Sequence, residues 1–190
     1  MSFRLDTPYY SIPSDESRAT FGAVMELLLK ARLKLDLESH REFYDEDVNA
    51  YLAGVLVSYI DPVYLREIAR ILSTSEIDVY HSIERAQDKV QVYRIYKVNA
   101  DDLLVSLGLF RRFWREGLGE VERLKRYYFC ACEYQRRIYG KATAVADIQS
   151  KLAEQAERYL TILTCARREY LHFVEQVKPE DLTQFLKEIF

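Results

Sequence analysis

Glycine and proline are scarce in this chain, with 6 and 4 copies among 190 residues. Sandwiches and barrels need frequent turns, and turns draw on those two residues, so the shortage favours long helices over an all-β fold. Cysteine is rare and odd in number. Cys130, Cys132 and Cys165 make no disulfide framework, which points to a reducing compartment. The most apolar run, Tyr51 to Ile60, is about half the roughly 20 residues that a membrane-crossing helix needs. The opening residues Met1 to Pro8 lack the basic-then-apolar layout of a secretion signal. A soluble, cytoplasmic protein without a membrane partner is therefore expected. A glycine-rich phosphate loop and a serine-hydrolase elbow are also missing, and no cofactor is expected.

What is present is ordinary globular composition. Hydrophobic residues at 49% and charged residues at 30% are enough to build a core and argue against disorder. A net charge of -3 is too small to indicate a nucleic-acid partner by itself. The length suits one domain, 1–190, with residues 1–13 as an extended arm marked by Pro8, Pro13, Tyr9 and Tyr10.

Helix punctuation then divides the chain. Ser14 followed by Asp15 and Glu16 is a capped start, and the helix is expected to run to Glu38. Within it Leu29 to Glu38 alternates apolar and charged residues, a strand pattern written in helix-forming residue types. A second helix is expected over 46–60, and Asp61 with Pro62 opens a third. Ser73 to Glu76 reads as a capping box for a fourth helix, which ends in the β-former-rich stretch Val90 to Val98. Those two ambiguous stretches are the only places where a small strand pair could form. Asn99, Asp101 and Asp102 read as the start of a fifth helix that Gly117 and Gly119 end, and a sixth covers 119–139 and stops at Gly140.

The clearest periodicity lies over 143–177. Val145, Leu152, Ala156, Tyr159, Leu163, Ala166, Tyr170, Phe173 and Val177 keep heptad spacing, broken only by Gln149. One long helix, packed antiparallel on the sixth, follows from the short connection between them. Pro179 opens a short amphipathic terminal helix. The expected fold is an all-α bundle of about seven helices with a long antiparallel C-terminal hairpin.

Three constellations bear on function. Asp78 with His81, and Glu169 with His172, are carboxylate-x-x-His steps; with Glu26 or Glu42 and with Glu133 they have the order of a di-metal carboxylate bundle. Their helical phases point outward or sideways, which argues against a metal site. Cys130 and Cys132 are two apart, so on a helix they point to nearly opposite sides and read as small core residues. The third is charge. Of the chain's 27 basic and 30 acidic residues, nine basic and four acidic fall between Arg111 and Lys141, leaving 18 and 26 elsewhere. Aromatics are interleaved there. Arg111, Arg112, Trp114, Arg115, Arg126, Tyr127, Arg136 and Arg137 are the candidate partner-binding residues. The acidic connector around Asp45 is a possible internal or intermolecular complement to that stretch.

The leading expectation is a non-catalytic helical protein-interaction or regulatory module that binds a protein partner or itself. The alternatives are nucleic-acid binding through 111–141 and di-metal carboxylate chemistry.

Overall fold

The computed structural model describes residues 15–37, 45–73, 75–110 and 118–171. Among them the chain is helical, without strands. The helices are α1 (Asp15–Lys34), α2 (Glu46–Ser58), α3 (Pro62–Ile68), α4 (Glu76–Glu84), α5 (Lys89–Leu109), α6 (Leu118–Tyr139), α7 (Ala144–Glu154) and α8 (Ala156–Ala166), followed by a π-helical segment, Arg167–Leu171. The all-α expectation is correct. Both ambiguous stretches are helical where described, apart from the turn after Lys34 in which Asp36 takes φ 54°.

Side-chain chemistry sets most boundaries. The Asp61 carboxylate accepts from the Val63 amide at 2.8 Å, with Pro62 at the first helical position. Asp88 accepts from the Gln91 amide at 2.8 Å and starts α5, and Thr143 accepts from the Ala146 amide at 3.1 Å to start α7. Gly140 closes α6 with φ 65°, a conformation that costs a residue bearing Cβ about 1–2 kcal/mol.

Several boundaries differ from expectation: α1 stops at Lys34 and not Glu38, α4 ends at Glu84 so that Val90 to Val98 belongs to α5, and α5 ends at Leu109 and not at Gly117. The cap of α4 is Ser75 and not Ser73; Ser75 accepts from the Ile77 amide, while the Ser73 amide donates to Asn99. Asn99, Asp101 and Asp102 do not start a helix but lie in the middle of α5, because partners in the α3–α4 connection (for Asn99) and at α2 and α6 (for the aspartates) satisfy their side chains. The long heptad segment is broken at Gln155 (φ -126°, ψ 37°). The bend separates α7, which packs on α6 and α2, from α8, which packs on α5 and α1.

α5 is the centre. From Val92 to Phe110 residues on every side of it are buried, as a helix surrounded by others requires. It packs against α4, α6 and α8, while α1 packs on α2 and α8. One continuous core joins Leu28, Leu52, Leu104, Leu124, Ile148, Leu152 and Leu160. α5 and α8 approach closely at Gly108, where an added Cβ would lie 2.6 Å from Leu163 Cβ. The α6 pairing is antiparallel: Lys125 reaches Glu157 at 2.5 Å, and Cys132, later in α6, reaches Ser150, earlier in the chain than Glu157.

No single helix among the described residues is long and apolar enough to cross a membrane. α2 and α3 reach that length and apolarity only together, as a pair bent by 95°, and most of α2 is core.

Candidate functional site

Two charged clusters sit inside the bundle, and both are used up by the chain itself. In the first, Asp101 is fully buried. Its Oδ1 accepts from the Tyr51 hydroxyl at 2.7 Å and the Tyr128 hydroxyl at 2.8 Å, and its Oδ2 pairs with Lys97 Nζ at 2.6 Å. α2, α5 and α6 are thereby tied at one carboxylate. The Lys97 ammonium also lies 5.5 Å from the Tyr51 ring centroid. Burial is the largest single influence and opposes that ammonium, but the Asp101 carboxylate acting together with Tyr51, Tyr64 and Tyr93 outweighs it and holds the Lys97 pKa well above the usual lysine value. Burial, and then the Asp101 charge, raise the Tyr51 and Tyr128 hydroxyls well above the usual 10. Next along α5, Asp102 accepts from the Tyr59 hydroxyl at 3.1 Å; burial lifts its pKa above 3.8 despite that hydrogen bond.

The second cluster closes the connection between α1 and α2. Arg32 pairs with buried Asp45, donates to Asn49 Oδ1 at 3.2 Å and donates to the Leu37 carbonyl at 3.2 Å. Arg158 reaches the same Leu37 carbonyl at 3.4 Å and Asp45 at 3.4 Å. Asp47 pairs with Lys151 at 2.9 Å. Among the described residues, the connector carboxylates Asp45 and Asp47 thus pair with basic residues of α1, α7 and α8.

The thiols diverge as helical phase requires. Cys130 faces Tyr96 on α5, and Cys132 faces Ser150 on α7. Burial raises both thiols, and that of Cys165, above the usual 9, which disfavours the thiolate a nucleophile needs. Among the described residues no group of three or more His, Cys, Asp or Glu is placed to hold a metal ion. Asp78 and His81 are exposed on α4, with His81 beside Glu84 at 3.3 Å. Glu133 pairs with Arg136, and Glu169 with Lys34. Glu26 pairs with Lys30 at 2.6 Å. His172 and Glu42 lie outside the described residues.

The candidate partner-binding residues separate into three groups. Arg111, Arg112, Trp114 and Arg115 lie outside the described residues. Tyr127 is a correction: it is 3% exposed and packs against Tyr96, with ring centroids 5.8 Å apart. Burial pushes its hydroxyl up to about 12, so it belongs to the core and not to a surface. Arg126, Arg136 and Arg137 are exposed on α6. Arg126 bridges to Glu76 of α4 at 2.8 Å, and Arg137 lies over the Tyr134 ring at 5.2 Å.

Between these arginines lies a residue that the charge reading missed. Phe129 is 60% exposed in the middle of α6. On the neighbouring α4, Ile77 is 65% and Tyr80 47% exposed. The outer face of α6 is Glu122, Arg126, Phe129, Glu133 and Arg136, at steps of four, three, four and three. That spacing was legible in the sequence; which α6 face is outside was not. Compared with known proteins, the chain matches no family model, no curated protein and no solved structure.

Proposed function

We propose that this chain is a non-catalytic helical protein-interaction module whose contact surface is the outer face of α6 with the adjoining flank of α4. The observation that carries the reading is the exposure of Phe129, Ile77 and Tyr80 on two helices joined by the Arg126–Glu76 bridge. Large apolar side chains held in water and ringed by arginines are what protein interfaces use as anchors. The interior ionic groups support the same reading, because Asp101 and Lys97 pair with each other and Arg32 pairs with Asp45, so that all of them serve the fold.

The same face disfavours a nucleic-acid track. Its charges alternate in sign, and Arg126 and Arg136 already hold carboxylates at 2.8 and 3.0 Å, whereas a phosphate backbone calls for an unbroken basic stripe.

A photo-crosslinking side chain placed at Phe129 and, separately, at Ile77 tests the surface in cells that make the full chain. Adducts of discrete mass are expected from both positions and not from the exposed control position Arg70. No adduct above that control overturns the proposal.

A further inference from the structure

The outer stripe of α6 has a property that a general docking face does not need: its charges are reversed about Phe129. Glu122 lies seven residues before it and Arg136 seven after; Arg126 lies three before and Glu133 four after. A two-fold axis through Phe129 would lay α6 antiparallel on a second α6. Glu122 of one copy then meets Arg136 of the other, and Arg126 meets Glu133 within one residue's rise, about 1.5 Å. Phe129 meets its own symmetry mate at the axis. Self-complementarity of this kind is what an isologous interface requires, and the four-three spacing is that of helices that pack lengthwise.

We infer that the occupant of this face is a second copy of the chain, bound through an antiparallel α6–α6 contact centred on Phe129. The inference rests on the interaction reading above and names its partner. Within one copy these charges hold partners at the surface, Glu122 with Lys125 at 3.1 Å, Arg126 with Glu76 at 2.8 Å and Glu133 with Arg136 at 3.0 Å. Exposed pairs are worth at most about 1 kcal/mol, so they exchange or extend across an interface readily. The contact is small. α6 is about 33 Å long at 1.5 Å per residue, and with α4 beside it the footprint falls below the roughly 800 Å² per partner of a standard stable complex. The dimer is therefore reversible and weakens as salt screens the four charge pairs.

Sedimentation equilibrium of the full chain, from low micromolar to near-millimolar concentration, tests this. A reversible monomer–dimer equilibrium is expected. Phe129→Asp should raise the dissociation constant at least about tenfold, and Arg136→Glu should do the same by setting like charges opposite each other. The swap Glu122→Arg with Arg136→Glu should recover the wild-type constant to within about threefold, since the pairs are restored with reversed sign. Circular dichroism confirms that each variant folds. A monomer at every concentration, a dimer indifferent to Phe129→Asp, or a swap that rescues nothing overturns the inference. The crosslinking experiment separates the two readings. A Phe129 adduct of twice the chain mass supports both; an adduct with a different protein keeps the interaction surface and removes the second copy.

Discussion

Replacing Asp101 with alanine removes the one carboxylate that α2, α5 and α6 share. It leaves the Lys97 ammonium, whose side chain is only 14% exposed, without its counter-charge, and it orphans the Tyr51 and Tyr128 hydroxyls. Breaking one partner of a buried ion pair costs about 3–5 kcal/mol, and an orphaned buried hydroxyl about 1–3 kcal/mol. These losses overlap, so about 4–6 kcal/mol is the expected total, a large share of the roughly 5–15 kcal/mol that holds a domain folded. Urea unfolding followed by far-ultraviolet circular dichroism measures it, with the slope against denaturant unchanged. The companion variant removes every member of the cluster: Asp101→Leu, Lys97→Met, Tyr51→Phe and Tyr128→Phe. If the charges serve only the fold, a dry core of similar volume should lie within about 2 kcal/mol of wild type. An alanine variant that loses less than about 1 kcal/mol, or a dry variant as unstable as the alanine one, would refute the reasoning.

Other outcomes follow from single sites. Gly108→Ala should destabilise by about 1–3 kcal/mol in the same urea assay despite alanine's better helix propensity, because the new Cβ meets Leu163 Cβ at 2.6 Å; adding Leu163→Gly should relieve the clash but not the lost core volume. Gly140→Ala should cost about 1 kcal/mol through its positive φ alone, since nothing lies within 4 Å of the added carbon. Tyr51, Tyr59 and Tyr128 keep their protons above the usual 10 because burial disfavours the phenolate. The stability they contribute is complete below about pH 10 and is lost as pH climbs from there toward their raised native values. Each adds a slope of up to about 1.4 kcal/mol per pH unit, so three give about 4. The share of tyrosinate absorbance that comes from these buried residues should rise in one cooperative step with loss of helix; gradual titration of all tyrosines in a folded chain would contradict the burial.

The parts of the fold legible in sequence are those set by neighbours a few residues apart. Pro62 after Asp61, and Gly140 at a helix end, act through their own backbone preferences and stand where the sequence places them. The misplaced start at Asn99 shows the opposite case. Asn and Asp compete for backbone groups and so read as caps, yet here Asn99 holds the Ile71 carbonyl at 3.3 Å and Asp101 holds two tyrosines from other helices. Those partners are 28, 50 and 27 residues away, beyond any local pattern. Gln149, the single break in the heptad seam, has the same explanation: its amide donates to Tyr93 on α5 at 3.2 Å.

For the surface, residue types were readable but direction was not. Tyr127 and Phe129 stand two apart in one aromatic stretch, and helical phase sends one into the core at 3% exposure and the other into water at 60%. Composition and short-range spacing by themselves determined that the chain is helical, where several helices start and stop, and that charge gathers between Arg111 and Lys141. Only the tertiary structure decided which carboxylates are buried, where the long C-terminal segment bends, and which face of α6 meets solvent. Helix formation answers to contacts within one turn, whereas burial and facing depend on which helices arrive from far along the chain.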